Sequence, residues 1–122
     1  MLRTLLTAVA AMAILLPTAS LAADVEAGKA AYQANCASCH GPEGGGDGPV
    51  AMALDPKPRS FAEAKFKYDT DGDGKTGTDA DITNIVKQGA AAFGGNAMMA
   101  PLPHLSDDEI ANIIAYVRTL KK

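Results

Sequence analysis

The clearest pattern of apolar and polar positions lies near the C-terminal end. Ile110, Ile113, Ile114, Val117 and Leu120 recur at helical spacing and make one apolar face, with Tyr116 on its flank. Ser106-Asp107-Asp108-Glu109 stands before them as a capping box, with Ser106 as N-cap and Glu109 at N3. Leu105 and Ile110 occupy the positions of a hydrophobic staple. Asp107 and Asp108 fall at the positive end of the helix dipole, and Arg118, Lys121 and Lys122 at the negative end. The spacing predicts a helix over 107–120. A second helix is predicted over 25–37, capped by Asp24. Gly28 and Tyr32 lie four apart on one face of it. Glycine inside a helix costs about 1 kcal/mol relative to alanine. A close helix crossing would justify that cost, and Tyr116 is the expected group to fill the space.

Between these helices the pattern is weaker. Thr78 or Asp79 is expected to cap a helix through Ile82, Ile85 and Val86 that ends near Gly89. A short helix is expected over 60–65, and a single turn over 51–54. Gly44-Gly45-Gly46, Gly48-Pro49 and Pro56-Lys57-Pro58 mark 41–58 as loop, and 94–103 is again irregular. No stretch alternates as a strand would, and no repeat is visible. The fold class is therefore all-α.

The first residues read differently. Arg3 is followed by an apolar run from Leu5 to Leu16, a break at Pro17, and small residues at Ser20 and Ala22. This is the pattern of a secretory signal peptide over 1–22, which leaves a domain over 23–122 and a periplasmic location. The run is shorter than the roughly 20 residues that span a membrane. No cysteine follows it closely, so a lipid anchor is not supported. Loss of Arg3 leaves ten basic residues against 14 acidic ones. A mildly acidic chain is not expected to bind nucleic acid, which favours a basic patch. With 3 Tyr, 3 Phe and no Trp, the chain is also short of large apolar bodies for its core. A buried planar cofactor would supply one.

The only two cysteines stand in Cys36-Ala37-Ser38-Cys39-His40. C-x-x-C-H is the pattern of c-type haem attachment. Two thiols three positions apart can each form a thioether with one haem, and the imidazole of His40 then meets the iron. Other readings are a Cys36–Cys39 disulfide, a thioredoxin-like pair, which lacks its βαβ setting, and a zinc site, for which Cys36, Cys39, His40 and His104 are too few. A second axial ligand is expected from methionine sulfur, the usual partner of histidine where a high potential is wanted. Met52, Met98 and Met99 are the candidates after residue 22. Met52 would have to fold back around the ring edge, whereas Met98 and Met99 can close over the other face from the far end of the chain. His104 is a further alternative.

Taken in order, Gly28 and Tyr32, Cys36-Ala-Ser-Cys-His40, Gly48-Pro49, the methionine loop, Leu105-Ser106-Asp107 and Tyr116-Val117-Arg118 resemble the class I single-haem c-type cytochromes of bacteria. The resemblance implies a small cytochrome c fold: three to five helices around one covalently bound haem, with the terminal helices crossing near Gly28, Tyr32 and Tyr116. It implies that the Pro49 carbonyl accepts a hydrogen bond from Nδ1 of His40. It sets Gly94-Gly95-Asn96-Ala97-Met98-Met99-Ala100-Pro101 in a register that puts Met99 on the iron, with Met98 as the alternative. Arg59 is expected at a haem propionate. The resemblance further implies an electron carrier rather than an enzyme, monomeric, with larger redox proteins as donor and acceptor. A peroxidase-like enzyme with an open sixth site, or a haem subunit of a larger redox complex, are the alternatives.

One segment departs from that pattern. Asp69-Thr70-Asp71-Gly72-Asp73-Gly74 matches the start of an EF-hand loop, but position 12 is Ala80, not an acid. A solvated acidic turn is the plain reading, and Ca2+ on Asp69, Asp71 and Asp73 is the alternative.

Overall fold

A computed structural model describes residues 12–15 and 22–122. The expected signal peptide falls mostly outside them. Among the described residues the protein is all-helical, without strands. Helices α1 (Val25–Asn35), α2 (Ala37–His40), α3 (Asp79–Gln88) and α4 (Asp107–Thr119) are joined by loops that contain short 3-10 turns at Ala51–Ala53 and Ala90–Phe93. No helix of the described residues is long and apolar enough to cross a membrane.

The predicted caps form. Asp24 accepts the Ala27 amide at the start of α1. Ser106 and Glu109 exchange side chain-to-backbone hydrogen bonds at α4, which satisfies two of the helix's free amides. Leu105 and Ile110 are both buried behind that cap. Thr78, not Asp79, caps α3 and makes a capping box with Asp81.

α1 and α4 cross where Gly28 has no side chain. A Cβ there would overlap the carbonyl oxygen of Asn112. The space is therefore filled by the backbone of Asn112 and Ile113, not by Tyr116 as expected. Tyr116 packs one turn further on, edge-on to the fully buried ring of Tyr32 at 5.1 Å. The Asp24 amide donates to the Asn112 side chain at 2.8 Å and fastens the same crossing from the outside. Ile110, Ile113, Ile114 and Val117 turn inward to the core that Tyr32, Ala37, Val86 and Leu105 complete.

Two expected helices differ. The N-terminal helix breaks at Cys36, where φ is −124°, and resumes as α2. The side-chain amide of Asn35 donates to the Ala31 carbonyl at 2.8 Å and competes with the backbone at the end of α1. The segment 60–65 forms only a turn. The amides of Phe61 and Ala62 both donate to the Gly44 carbonyl, and Ala64 has φ +52°, so no helical ladder propagates.

Arg118 does more than complement a helix end. It donates to the Gly77 carbonyl at 2.7 Å, pairs with Asp79 at 2.8 Å and lies over the Phe66 ring. It thus fastens the 66–79 loop to α4.

Gly28→Ala tests the crossing. Helix propensity alone would stabilise the protein by about 1 kcal/mol. Overlap with the Asn112 carbonyl should instead destabilise it by roughly 1–3 kcal/mol, read as a fall in Tm by circular dichroism.

Candidate functional site

A cleft of about 270 Å3 lies between α2, α3, α4 and the loops 54–59 and 96–102. That is near the lower end of clefts that hold ligands, roughly 300–1,000 Å3. Cys36, Cys39 and His40 line it, as do Met98 and Met99, with apolar side chains including Ile82, Val86, Leu102 and Ile113. The structure thus brings the two ends of the predicted constellation to one cavity.

The C-x-x-C-H segment is held from outside by its own following loop. The Gly48 amide donates to the Cys39 carbonyl and the Val50 amide to the Ser38 carbonyl, both at 3.1 Å. A Cβ at Gly48 would overlap the Ser38 carbonyl oxygen, so glycine permits this approach. Phe61, tied to Gly44, stacks on the His40 ring at 4.4 Å between centroids.

Nδ1 of His40 lies 3.0 Å from the carbonyl oxygen of Arg59. This corrects the expectation for Pro49, which stays exposed on the loop around α2. The reason is the fastening of 61–62 to Gly44, which carries the Arg59 carbonyl to the imidazole. With Nδ1–H donating to that carbonyl, Nε2 keeps its lone pair for a metal. Burial lowers the His40 pKa, against the raising effect of the Arg59 carbonyl. The neutral ring required of a ligand is favoured.

Cys36 and Cys39 are free thiols. Burial, with Cys39 adding to it, pushes Cys36 up to about 11. A redox or zinc-binding cysteine needs the opposite shift, toward thiolate. The thioredoxin-like reading thus loses support, and its βαβ setting is absent among the described residues.

The methionines separate by exposure. Met52 is 92% exposed and outside the cleft lining, and Met98 is 71% exposed. Met99 is half-buried and packs against the core cluster. Its carbonyl accepts the Ala90 amide at 2.9 Å, and its amide donates to the Asn96 carbonyl at 3.0 Å. His104 lies outside the cleft and its Nε2 meets Asn35 Oδ1 at 2.9 Å. Arg59 is exposed and lines the cleft, as does Lys57.

A model for the family described as cytochrome c matches residues 25–121. The chain belongs to the cytochrome c family. It is 37% identical, over 82% of its length and the whole of the relative, to cytochrome c-554(547) of Halothiobacillus neapolitanus. Its fold is similar, with TM-score 0.67 and 33% identity, to a chain of a reducing HAO-like protein complex of Kuenenia stuttgartiensis. That match covers 80% of this cytochrome and 43% of the other chain. Haem-based electron transfer and a covalently bound haem c follow from the family. The donors fit the group: two free thiols, an imidazole tied off at Nδ1, and an apolar cleft beside them.

The acidic loop forms an exposed turn closed by its own carboxylates, in line with the plain reading. Asp69 accepts the amides of Gly72, Asp73 and Gly74, and Asp73 accepts that of Lys75. The carboxylates that gather within 4.8 Å are Asp69, Asp71 and Asp81, so Asp73, named for calcium from the sequence, is not among them. Asp73 instead closes its own turn. Asp81 is fully buried and accepts from the amide and hydroxyl of Thr70 and from the Thr78 amide. Sequence reading missed it, although its place at N3 of α3 was visible.

The Thr70 and Thr78 hydrogen bonds lower the Asp81 pKa to about 2. A depressed carboxylate contributes stability above its unfolded pKa and loses it as pH falls through the folded value. Acid titration of Tm from pH ~4 to pH ~2 should therefore show a loss that is smaller in Asp81→Asn, which should also be the less stable protein at pH 7.

Proposed function

We propose that this cytochrome is an exported carrier of single electrons, with His40 and Met99 as the axial ligands of one haem held through Cys36 and Cys39. The half-buried position of Met99 on the cleft, beside an exposed Met98, carries the choice of ligand. When bound, the haem supplies an iron that changes charge by one electron, at a potential raised by a sulfur ligand and burial. The chain's own part is to keep its donors still. The Arg59 carbonyl orients the imidazole. The Ala90 and Asn96 backbone groups hold Met99. Ile82, Val86, Leu102 and Ile113 keep water from the cleft interior. Arg59, exposed at the cleft, is the proposed partner of a haem propionate.

The carrier reading is supported against a peroxidase-like enzyme by what lines the cleft. Its one carboxylate is Asp81, whose oxygens are occupied by Thr70 and Thr78, and His40 is its one histidine. The described lining thus lacks a second histidine or a free carboxylate for general acid–base work, and its other titratable groups are Cys36, Cys39, Lys57, Arg59, Lys67 and Tyr68. Larger redox proteins are the proposed donor and acceptor, met through small, weak interfaces. Residues 1–22 are proposed to be removed on export to the periplasm. A second reading, a haem subunit of a larger complex, is favoured by the likeness to a chain of the reducing HAO-like complex. Co-purification at fixed stoichiometry would select it over a free monomer.

The experiment is the oxidised absorption spectrum of the haem-loaded wild type, Met98→Ala and Met99→Ala. The weak red band of methionine–iron coordination should be present in the wild type and lost only in Met99→Ala. Loss only in Met98→Ala moves the ligand. A wild type without the band that readily binds cyanide or carbon monoxide has an open site, and the catalytic reading replaces this one. Mass determination of the periplasmic protein should give a chain beginning at Ala23, and an intact Met1 overturns export with cleavage.

A further inference from the structure

Asn96 spans the cleft wall in a way that the C-x-x-C-H and methionine motifs do not explain. Its Nδ2 donates to the Asp55 carbonyl at 3.1 Å and lies 3.4 Å from the Pro56 carbonyl. Its Oδ1 accepts the Met98 amide at 2.9 Å, and its own carbonyl accepts the Met99 amide at 3.0 Å. One residue thus ties two segments separated by 41 positions, both of which line the cleft. The chemistry demands an amide: one end must donate to carbonyls and the other must accept from an N–H. A carboxylate would set negative oxygen against the Asp55 and Pro56 carbonyls. Glycine precedes it at 94 and 95, so the loop has little stiffness of its own there.

We infer that Asn96 is the positioning residue for the methionine ligand, holding the 94–101 loop against 55–56 so that the Met99 sulfur stays at the iron. The inference rests on Met99 being that ligand. Asn96 touches neither haem nor iron in this role. It acts through the backbone of Met98 and Met99.

The test measures imidazole binding to the oxidised, haem-loaded protein, where imidazole must displace the methionine. The red band and Tm are read on the same samples. Asn96→Ala loses both side-chain bonds, and Asn96→Asp keeps the size and the acceptor for Met98 while losing the donor. Asn84→Ala serves as the comparison, because Asn84 bonds Thr70 outside the cleft lining. Each lost hydrogen bond is expected to raise imidazole affinity by about 3- to 10-fold. Both Asn96 variants should show the rise, with a weakened red band, while Asn84→Ala lowers Tm at wild-type affinity. Should Asn96→Ala not fold, Asn96→Asp decides alone. Unchanged imidazole affinity in the Asn96 variants, with a large rise in Met99→Ala, overturns the role of Asn96 and leaves the ligand in place. No change in Met99→Ala overturns the ligand itself, and the role of Asn96 with it.

Discussion

The crossing of α1 and α4 at Gly28 is the contact on which the rest depends. Helix backbones meet directly there, because nothing projects from residue 28 toward the Asn112 carbonyl. The approach brings Tyr32 under Tyr116, and Tyr32 then reaches the Gly41 carbonyl with its hydroxyl at 2.6 Å. Gly41 ends α2, so the crossing is coupled to the C-x-x-C-H segment within one side chain. Tyr32 also meets Phe61, which stacks on His40. A chain short of large apolar residues spends half of its six Tyr and Phe rings on this single line of contact.

The opposite wall is built by other means. The Met99 backbone is held by hydrogen bonds to Ala90 and Asn96, and Leu102 is tied to Val86 of α3. One side of the cleft is thus fixed by packing and the other by polar ties. Dense packing resists small displacements, whereas a loop tied at a few points can adjust. A cofactor entering after chain synthesis would meet a formed wall at the thiols and an adaptable one at the 96–102 loop.

What the sequence disclosed follows from how each feature is encoded. The capping box at Ser106, the apolar face of α4 and C-x-x-C-H are written in side-chain types at fixed spacing, and all appear where expected. The misplaced features depend on backbone groups. Pro49 looked like the imidazole's partner, yet the carbonyl that arrives belongs to Arg59. Tyr116 looked like the filler at Gly28, yet a main-chain carbonyl does that job. Asp73 alternates with Asp69 and Asp71 as a ligand would, but its oxygen is taken by the Lys75 amide two residues on. The different exposure of Met98 and Met99 depends on the path of the loop, where Asn96 bonds a residue 41 positions back.

Arg59 faces two ways. Its backbone oxygen meets the imidazole, while its side chain is exposed at the cleft. Every amino acid carries that carbonyl. The surface charge at this position can therefore be rewritten by substitution without altering the hydrogen bond to His40. A single codon could thus change the charge at the cleft mouth and keep the carbonyl that meets His40.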